Sequence, residues 1–428
     1  MQLPETTAVH RAKIEAATLL EGWSEGLDAV ARSGGRAAYV FVMGSCAELL
    51  ASFDLPLVFP EIHCLRSAMW GTAPRLLQRA EEQGYSPDIC NYLKADVGLH
   101  LAGRHLAGKQ VPAPCLAVAA TACNTYVKWA EIWQQQYGMP LFVFDLPGAR
   151  VPGSPTLPDD PALARDLDYV TAQLRELIVL CERITGRRLN RQRLGTALQY
   201  TNRMRTSFQR MLELNRRQAC FDALRHGGAY LGVYNVFRGT EAGTHYFERA
   251  LEELRQIQAQ HSEDSEEHRP YRLLFVGVPC YPLYGDFIRM FSRHNGIFVA
   301  STYLQFASGG NVPPLQHDPA RPVASLAREL LLGARDAMDS MFLAGDRLPV
   351  LREACRADGI VFHAVKSCRT VSTGLTDARR ALMARLSVPT LLLESDMMDR
   401  RLIAPAQLQN RIDAFFESLW LRRRAGAS

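Results

Sequence analysis

CLAVAATACNTYVKWAEIWQQQYGMPLFVFD, residues 115–145, decides the fold class. It opens on an apolar run, CLAVAA (115–120), passes through a stretch of helical spacing, VKWAEIWQQQYG (127–138), and closes on a second run, LFVFD (141–145). Short apolar runs without polar alternation are strands covered on both faces, and a strand, helix, strand order makes them parallel. Working outward, AAYVFVM (37–43) and LPLVF (55–59) precede it, and RLLFVG (272–277), IFVAS (297–301), GIVFHA (359–364) and TLLLE (390–394) follow it. The expectation is α/β, with two parallel-sheet domains flanking a cleft and a helical insert between them. The boundaries expected are an N-terminal helical segment (1–36), a first α/β domain (37–150), a helical insert and linker (151–268) and a second α/β domain (269–428). At the boundary after the insert, HSEDSEEHRP (261–270) reads as a charged linker ending in Pro.

The chain has 428 residues, 47% hydrophobic and 22% charged, and a net charge of +5. That composition excludes disorder and coiled coil, and the length exceeds the size at which one core stops growing, about 250 to 300 residues. The small net charge points to neither nucleic acid nor a membrane surface. Forty-four of the 49 basic residues are arginines, a skew that matches genomic base composition and marks no site. The N-terminus has no signal-peptide core and no 18 apolar residues run together, so a cytoplasmic location is expected. Ten cysteines there are core thiols, metal ligands or catalytic groups rather than disulfides.

GRHLAGKQ (103–110) has the spacing of a phosphate-binding loop as far as Lys109. Gln110 stands where Ser or Thr would meet Mg²⁺, and a helix end precedes it where a strand is needed, so ATP binding is rejected. The cysteines carry more information. Cys46, Cys123, Cys280 and Cys368 each lie three or four residues beyond an expected strand, and in open parallel sheets ligands gather outside the carboxyl ends of the strands. Thiols from both domains, with Cys90 joining from a loop, are therefore expected at one cleft, where they suit zinc or an iron–sulfur cluster. His363 lies within a strand and reads as a packed core residue.

GYSPDICNYLKADVG (84–98), ATACNTYVKWAEIW (120–133) and VKSCRTVSTG (365–374) resemble the cluster-binding segments of the benzoyl-CoA reductase and 2-hydroxyacyl-CoA dehydratase family. The resemblance extends over nearly the whole chain, through VFPEI (58–62), YLGVYNVFRGTEAG (230–243), VGVPCYPLYG (276–285) and ESDMMDRR (394–401). Within that family it points to the larger substrate-binding subunit of the ATP-dependent reductases. The resemblance implies that Cys90, Cys123 and Cys368 ligate a [4Fe-4S] cluster, leaving a fourth iron position open or filled by Cys46 or Cys280. It also implies a related smaller subunit as partner, two further iron–sulfur subunits that bind ATP and Mg²⁺ in place of this chain, and reduced ferredoxin as electron source. The implied activity is reduction of the aromatic ring of benzoyl-CoA, or a substituted analogue, to a cyclic dienoyl-CoA. His63, Glu61 and Ser45, which follow early strands, are the candidate proton donors, with His63 preferred, and Arg238 is the candidate contact to a CoA phosphate. The alternatives are a component of a 2-hydroxyacyl-CoA dehydratase and, from another class, a non-catalytic two-domain binding protein that closes over a small molecule.

Overall fold

The computed structural model describes residues 7–148, 161–260, 269–307, 315–342 and 344–426. Ten strands occur among them: β1 (Arg36–Val40), β2 (Leu57–Val58), β3 (His105–Leu106), β4 (Lys109–Gln110), β5 (Ala113–Ala120), β6 (Leu141–Phe144), β7 (Tyr271–Gly277), β8 (Gly296–Ser301), β9 (Gly359–Val365) and β10 (Thr390–Ser395). The eight expected strands are all present and build two four-stranded sheets, β2-β1-β5-β6 and β10-β9-β7-β8, in which every pairing is parallel. In the first sheet the order reverses between β1 and β5, and in the second between β7 and β9, the positions at whose carboxyl ends parallel sheets bind ligands.

The apolar runs lack alternation because each strand is covered twice. Ala37, Tyr39, Phe41, Ala117 and Ala119 face one core with Trp129 and Trp133, while Ala38, Val40, Leu116, Val118 and Ala120 face another with Leu174, Leu198 and Leu331. The second sheet divides likewise, Leu273, Phe275 and Phe298 packing with Phe415 and Phe416, and Leu274, Val276 and Ile297 packing with Leu348 and Leu382. Residues 161–260 are helical, with helices at Pro161–Thr185, Arg191–Arg217, Gly227–Val236 and Glu241–Gln260. Their packing is shared: the first helix lies on the first sheet, and the last packs against the helix Arg191–Arg217 and the N-terminal helix Thr7–Arg32. The helix Pro322–Phe342, late in the chain, returns to the first sheet through Leu326, Leu330 and Leu331. Residues 261–268 of the expected linker lie outside the described residues.

GRHLAGKQ forms the β3–β4 antiparallel hairpin, and Lys109 is ion-paired with Glu21. Neither the strand nor the helix that a phosphate loop needs is there, as Gln110 and the preceding helix end had indicated.

One close approach sets the geometry of the site. The helices Ala73–Glu82 and Asn91–Leu101 meet at Gly98, where an added Cβ would lie 2.0 Å from the Leu76 carbonyl oxygen and 2.6 Å from its carbon. Both atoms are backbone, so neither can swing aside. Gly98→Ala is expected to cost about 3 kcal/mol, the upper range for an overpacked core. Thermal unfolding measures it, and an unchanged midpoint would contradict the close approach.

Candidate functional site

Each of the three resemblance-marked cysteines caps the start of a helix. Cys90 precedes Asn91–Leu101, Cys123 precedes Asn124–Tyr137, and Cys368 precedes the single turn Arg369–Ser372. None of their side chains caps its own helix, so each thiol is left for other partners. A buried carboxylate fixes the first two. Asp96, 2% exposed, accepts hydrogen bonds at 2.7 Å from Nε1 of both Trp129 and Trp133, which locks the Cys90 helix against the Cys123 helix.

Long-range contacts bring Cys368 to them. Cys123 Sγ lies 3.3 Å from the Thr370 hydroxyl, Arg369 donates to the Asp88 carbonyl at 3.1 Å, and Asn91 Nδ2 donates to Asp396 at 2.9 Å. Arg401 makes a two-pronged contact to Glu81 at 2.6 and 2.9 Å, and the buried Lys94 ammonium also donates to Glu81 at 2.9 Å. Arg401, with Lys94, holds the Glu81 carboxyl down to about 2. These bonds tie the loop before Cys90 to the segment after β10.

Cys368 and Cys123 lie within electrostatic reach of Cys90, and Cys123 within reach of Cys368. Burial first, then the neighbouring Cys368 and Cys123, push the Cys90 thiol well up; burial first, then Cys123, Asp396 and Glu61, push Cys368 up to about 12. A metal charge at this place would offset the burial that disfavours the thiolate forms. Around them, three buried polar atoms have no hydrogen-bond partner among the described residues: Asn91 Oδ1, Tyr92 OH and Ser367 Oγ. A soft donor set of three thiolates with unsatisfied polar groups beside it fits an iron–sulfur cluster.

Glu61 stands in the first turn of the helix Pro60–Met69. Its two carboxylate oxygens accept from the Val42 N–H and the Tyr126 hydroxyl, each at 2.6 Å. Burial outweighs both bonds and raises the carboxyl to about 7. Tyr92, Tyr126 and Tyr303 all lie within electrostatic reach of it, as does Cys368. Tyr126 in turn stacks on Phe41 with centroids 4.0 Å apart. His63, three residues from the Arg66 guanidinium, is stacked on Trp23 at 5.0 Å. Burial, with Arg66, lowers its imidazole to about 3, so it is neutral and holds no extra proton at physiological pH. His363 is a satisfied core residue, its two ring nitrogens at 2.5 Å from the Val278 carbonyl and 2.6 Å from Ser395 Oγ.

Ser45 and Arg238 come together in a different place, a pocket also lined by Gly44, Cys46, Ala122 and Glu329. Ser45 Oγ is buried there without a hydrogen-bond partner among the described residues. Arg238 is clamped between Glu48 at 2.9 Å and Glu329 at 2.8 Å, in a buried network that includes Arg205. Glu48, His317 and Glu329 also converge there, with ligand atoms within 4.8 Å of one another. The two arginines already balance the two carboxylates, so no net negative charge remains to hold a divalent ion.

Of the remaining strand-end cysteines, Cys46 caps a short helix in the core on the opposite face of the first sheet, beside Glu48 and Arg238. Cys280 is buried beside Ser395 and Asp396. Cys64 also lies within electrostatic reach of Cys90, and its thiol donates to the Tyr92 carbonyl at 3.2 Å. Asp96, Asp396, Cys64 and the tyrosines escaped sequence reasoning. For Asp396 a signal existed, since a carboxylate directly after β10 stands at the ligand-bearing end of a parallel strand.

A family model described as "2-hydroxyglutaryl-CoA dehydratase, D-component" matches residues 43–419. A benzoyl-CoA reductase component from Thauera aromatica is 27% identical over 421 residues, spanning 96% of this chain and 94% of that protein. The (R)-2-hydroxyisocaproyl-CoA dehydratase alpha subunit of Clostridioides difficile is 23% identical over 390 residues, 88% of each chain. The (R)-phenyllactyl-CoA dehydratase alpha subunit of Clostridium sporogenes is 22% identical over 397 residues, 90% of this chain and 91% of that one.

Proposed function

The chain belongs to the family of the 2-hydroxyglutaryl-CoA dehydratase D-component, which takes in enzyme subunits of the benzoyl-CoA reductase and 2-hydroxyacyl-CoA dehydratase kinds, and from that membership we propose that it is the cluster-bearing subunit of an ATP-dependent benzoyl-CoA reductase. The observation that carries the proposal is the convergence of Cys90, Cys123 and Cys368, from both halves, beside a carboxyl poised near neutrality. Benzoyl-CoA is favoured as substrate by the higher identity and coverage of the reductase relative, 27% over 96% of the chain against 23% over 88%.

Cys90, Cys123 and Cys368 would hold a [4Fe-4S] cluster, whose chemistry is the supply of single electrons at potentials reaching about −700 mV. The chain's own residues supply the proton. Glu61, whose carboxyl burial raises to about 7, can hold a proton near neutrality, which suits a general acid. The Tyr126 hydroxyl donates to one of its oxygens and the Val42 N–H to the other, so the carboxyl is held in one orientation while it gains or loses its proton. The buried Tyr92 hydroxyl, clustered with those of Tyr281 and Tyr303, would offer a donor to an acyl oxygen entering the site. His63, neutral and stacked, supports the helix that carries Glu61. Arg238, neutralised by two carboxylates, shapes the wall of its pocket rather than meeting a CoA phosphate, and Ser45 remains the pocket's free hydroxyl.

The partners proposed are a related smaller subunit, two ATP-binding iron–sulfur subunits and reduced ferredoxin, in the cytoplasm. Among the described residues no helix is long and apolar enough to cross a membrane. The dehydratase alpha subunits among the relatives favour a second proposal, a 2-hydroxyacyl-CoA dehydratase component. One measurement separates them. A reductase consumes ATP with every turnover, so ATP hydrolysed is expected to rise in proportion to dienoyl-CoA formed; product formed on catalytic amounts of ATP would favour dehydration.

A further inference from the structure

Asp396 follows β10 directly and is fully buried. Its Oδ1 accepts from Asn91 Nδ2 at 2.9 Å, the Met398 N–H at 2.8 Å and the Asp399 N–H at 2.9 Å, and its Oδ2 accepts from the Ser367 N–H at 3.0 Å. Two of these donors matter for the site. Asn91 is the residue after Cys90, and Ser367 is the residue before Cys368. One carboxylate from the second half thus binds the neighbours of two thiols, one in each half, across 305 residues of sequence on the Asn91 side. Among the described residues no Lys, Arg or His pairs with it, so its donors are all neutral N–H groups. Such donors stabilise a buried carboxylate without cancelling its charge as a cation would.

We propose that Asp396 is the positioning residue of the three-thiol site, fixing Cys90 and Cys368 relative to each other and placing an unpaired negative charge beside the metal they hold. This rests on the iron–sulfur reading of that site. Two consequences follow, one mechanical and one electrostatic. The bond to Asn91 spans the seam between the halves, so it keeps Cys90 in place before and after metal arrives. The charge opposes the addition of an electron nearby, which keeps a cluster at this position strongly reducing, as burial and net charge set cluster potentials.

The test uses the anaerobically purified complex with its partner subunits, and EPR-monitored redox titration of this chain's cluster. Asp396→Asn keeps the shape and removes the charge. It is expected to make reduction at least tenfold easier, a rise of about 59 mV for one electron. A merely structural role would move thermal stability and leave the potential in place. Asn91→Ala keeps the charge and removes the bond across the seam, so the potential is expected to stay while iron is lost to a chelator several-fold faster. That variant also carries the positioning claim where Asp396→Asn does not fold. Wild-type potential in Asp396→Asn together with wild-type iron release in Asn91→Ala overturns this inference alone. An iron-free wild-type complex overturns the iron–sulfur reading, and this inference with it.

Discussion

Cys123→Ala, produced with its partner subunits and purified without oxygen, is expected to lose the cluster of this chain and all ring reduction. Wild type should carry about four irons and four acid-labile sulfides assignable to the chain. The variant should carry none, with melting of the apo-protein close to wild type. Cys123 is half-buried and its side chain meets the Thr370 hydroxyl, so its removal would break the proposed metal site without opening a large cavity. Iron and sulfide content, with EPR of the reduced sample, decides the matter. Full iron content in the variant would mean that Cys123 is a packing thiol, and no iron in a folded, paired wild type would end the cluster assignment.

The second large effect is expected at Glu61. Glu61→Gln keeps the shape and removes the transferable proton, and should lower turnover by about 10² to 10⁴, the usual contribution of a general acid. Iron content should not change. The pH dependence follows from the raised acidity constant of this group. Its folded value is about 7 against an ordinary 4.5, so the proton-bearing form is present below pH 7 and is lost as pH rises through 7. Turnover should fall across that window, and the fall should vanish in the variant. Stability runs in step. Between about pH 4.5 and 7 the folded chain holds a proton that the unfolded chain has released, so ionisation costs the fold progressively more as pH rises. Glu61→Gln removes that cost, and at pH 8 its stability should equal or exceed wild type. Normal turnover in the variant would remove Glu61 from the proton path, and a variant less stable than wild type at pH 8 would contradict the raised acidity constant.

These expectations divide according to which interactions carry the information. The eight main strands were legible because each is a run of apolar side chains buried on both faces, a property of consecutive residues. The placement of cysteines at strand ends was legible for the same reason, since strand ends are local. The rejection of the phosphate loop was also local, resting on Gln110 and a helix end. What the chain's local pattern left open was which strand-end cysteines meet. Cys46 and Cys123 follow the first and third strands of the same sheet, yet Cys46 lies in the core on one face and Cys123 caps a helix on the other. Spacing along the chain does not encode that choice, because it depends on which face each loop turns toward.

The proton donor shows the same limit. Glu61 and His63 are two residues apart, and nothing in their spacing ranks a carboxyl above an imidazole there. Burial moves them in opposite directions, raising Glu61 to about 7 and lowering His63 to about 3, because a low-dielectric site disfavours the charged form of each, and this favours Glu61 as the proposed donor. Composition and local pattern by themselves determined the α/β class, the parallel strands and the set of candidate thiols. Only the tertiary structure decided that Asp96 clips two cysteine-bearing helices together, that Asp396 joins the neighbours of Cys90 and Cys368, and that the carboxyl rather than the imidazole is poised to hold a proton near neutrality. Those outcomes rest on hydrogen bonds and desolvation between residues as much as 305 positions apart, and such interactions exist only once the chain has closed on itself.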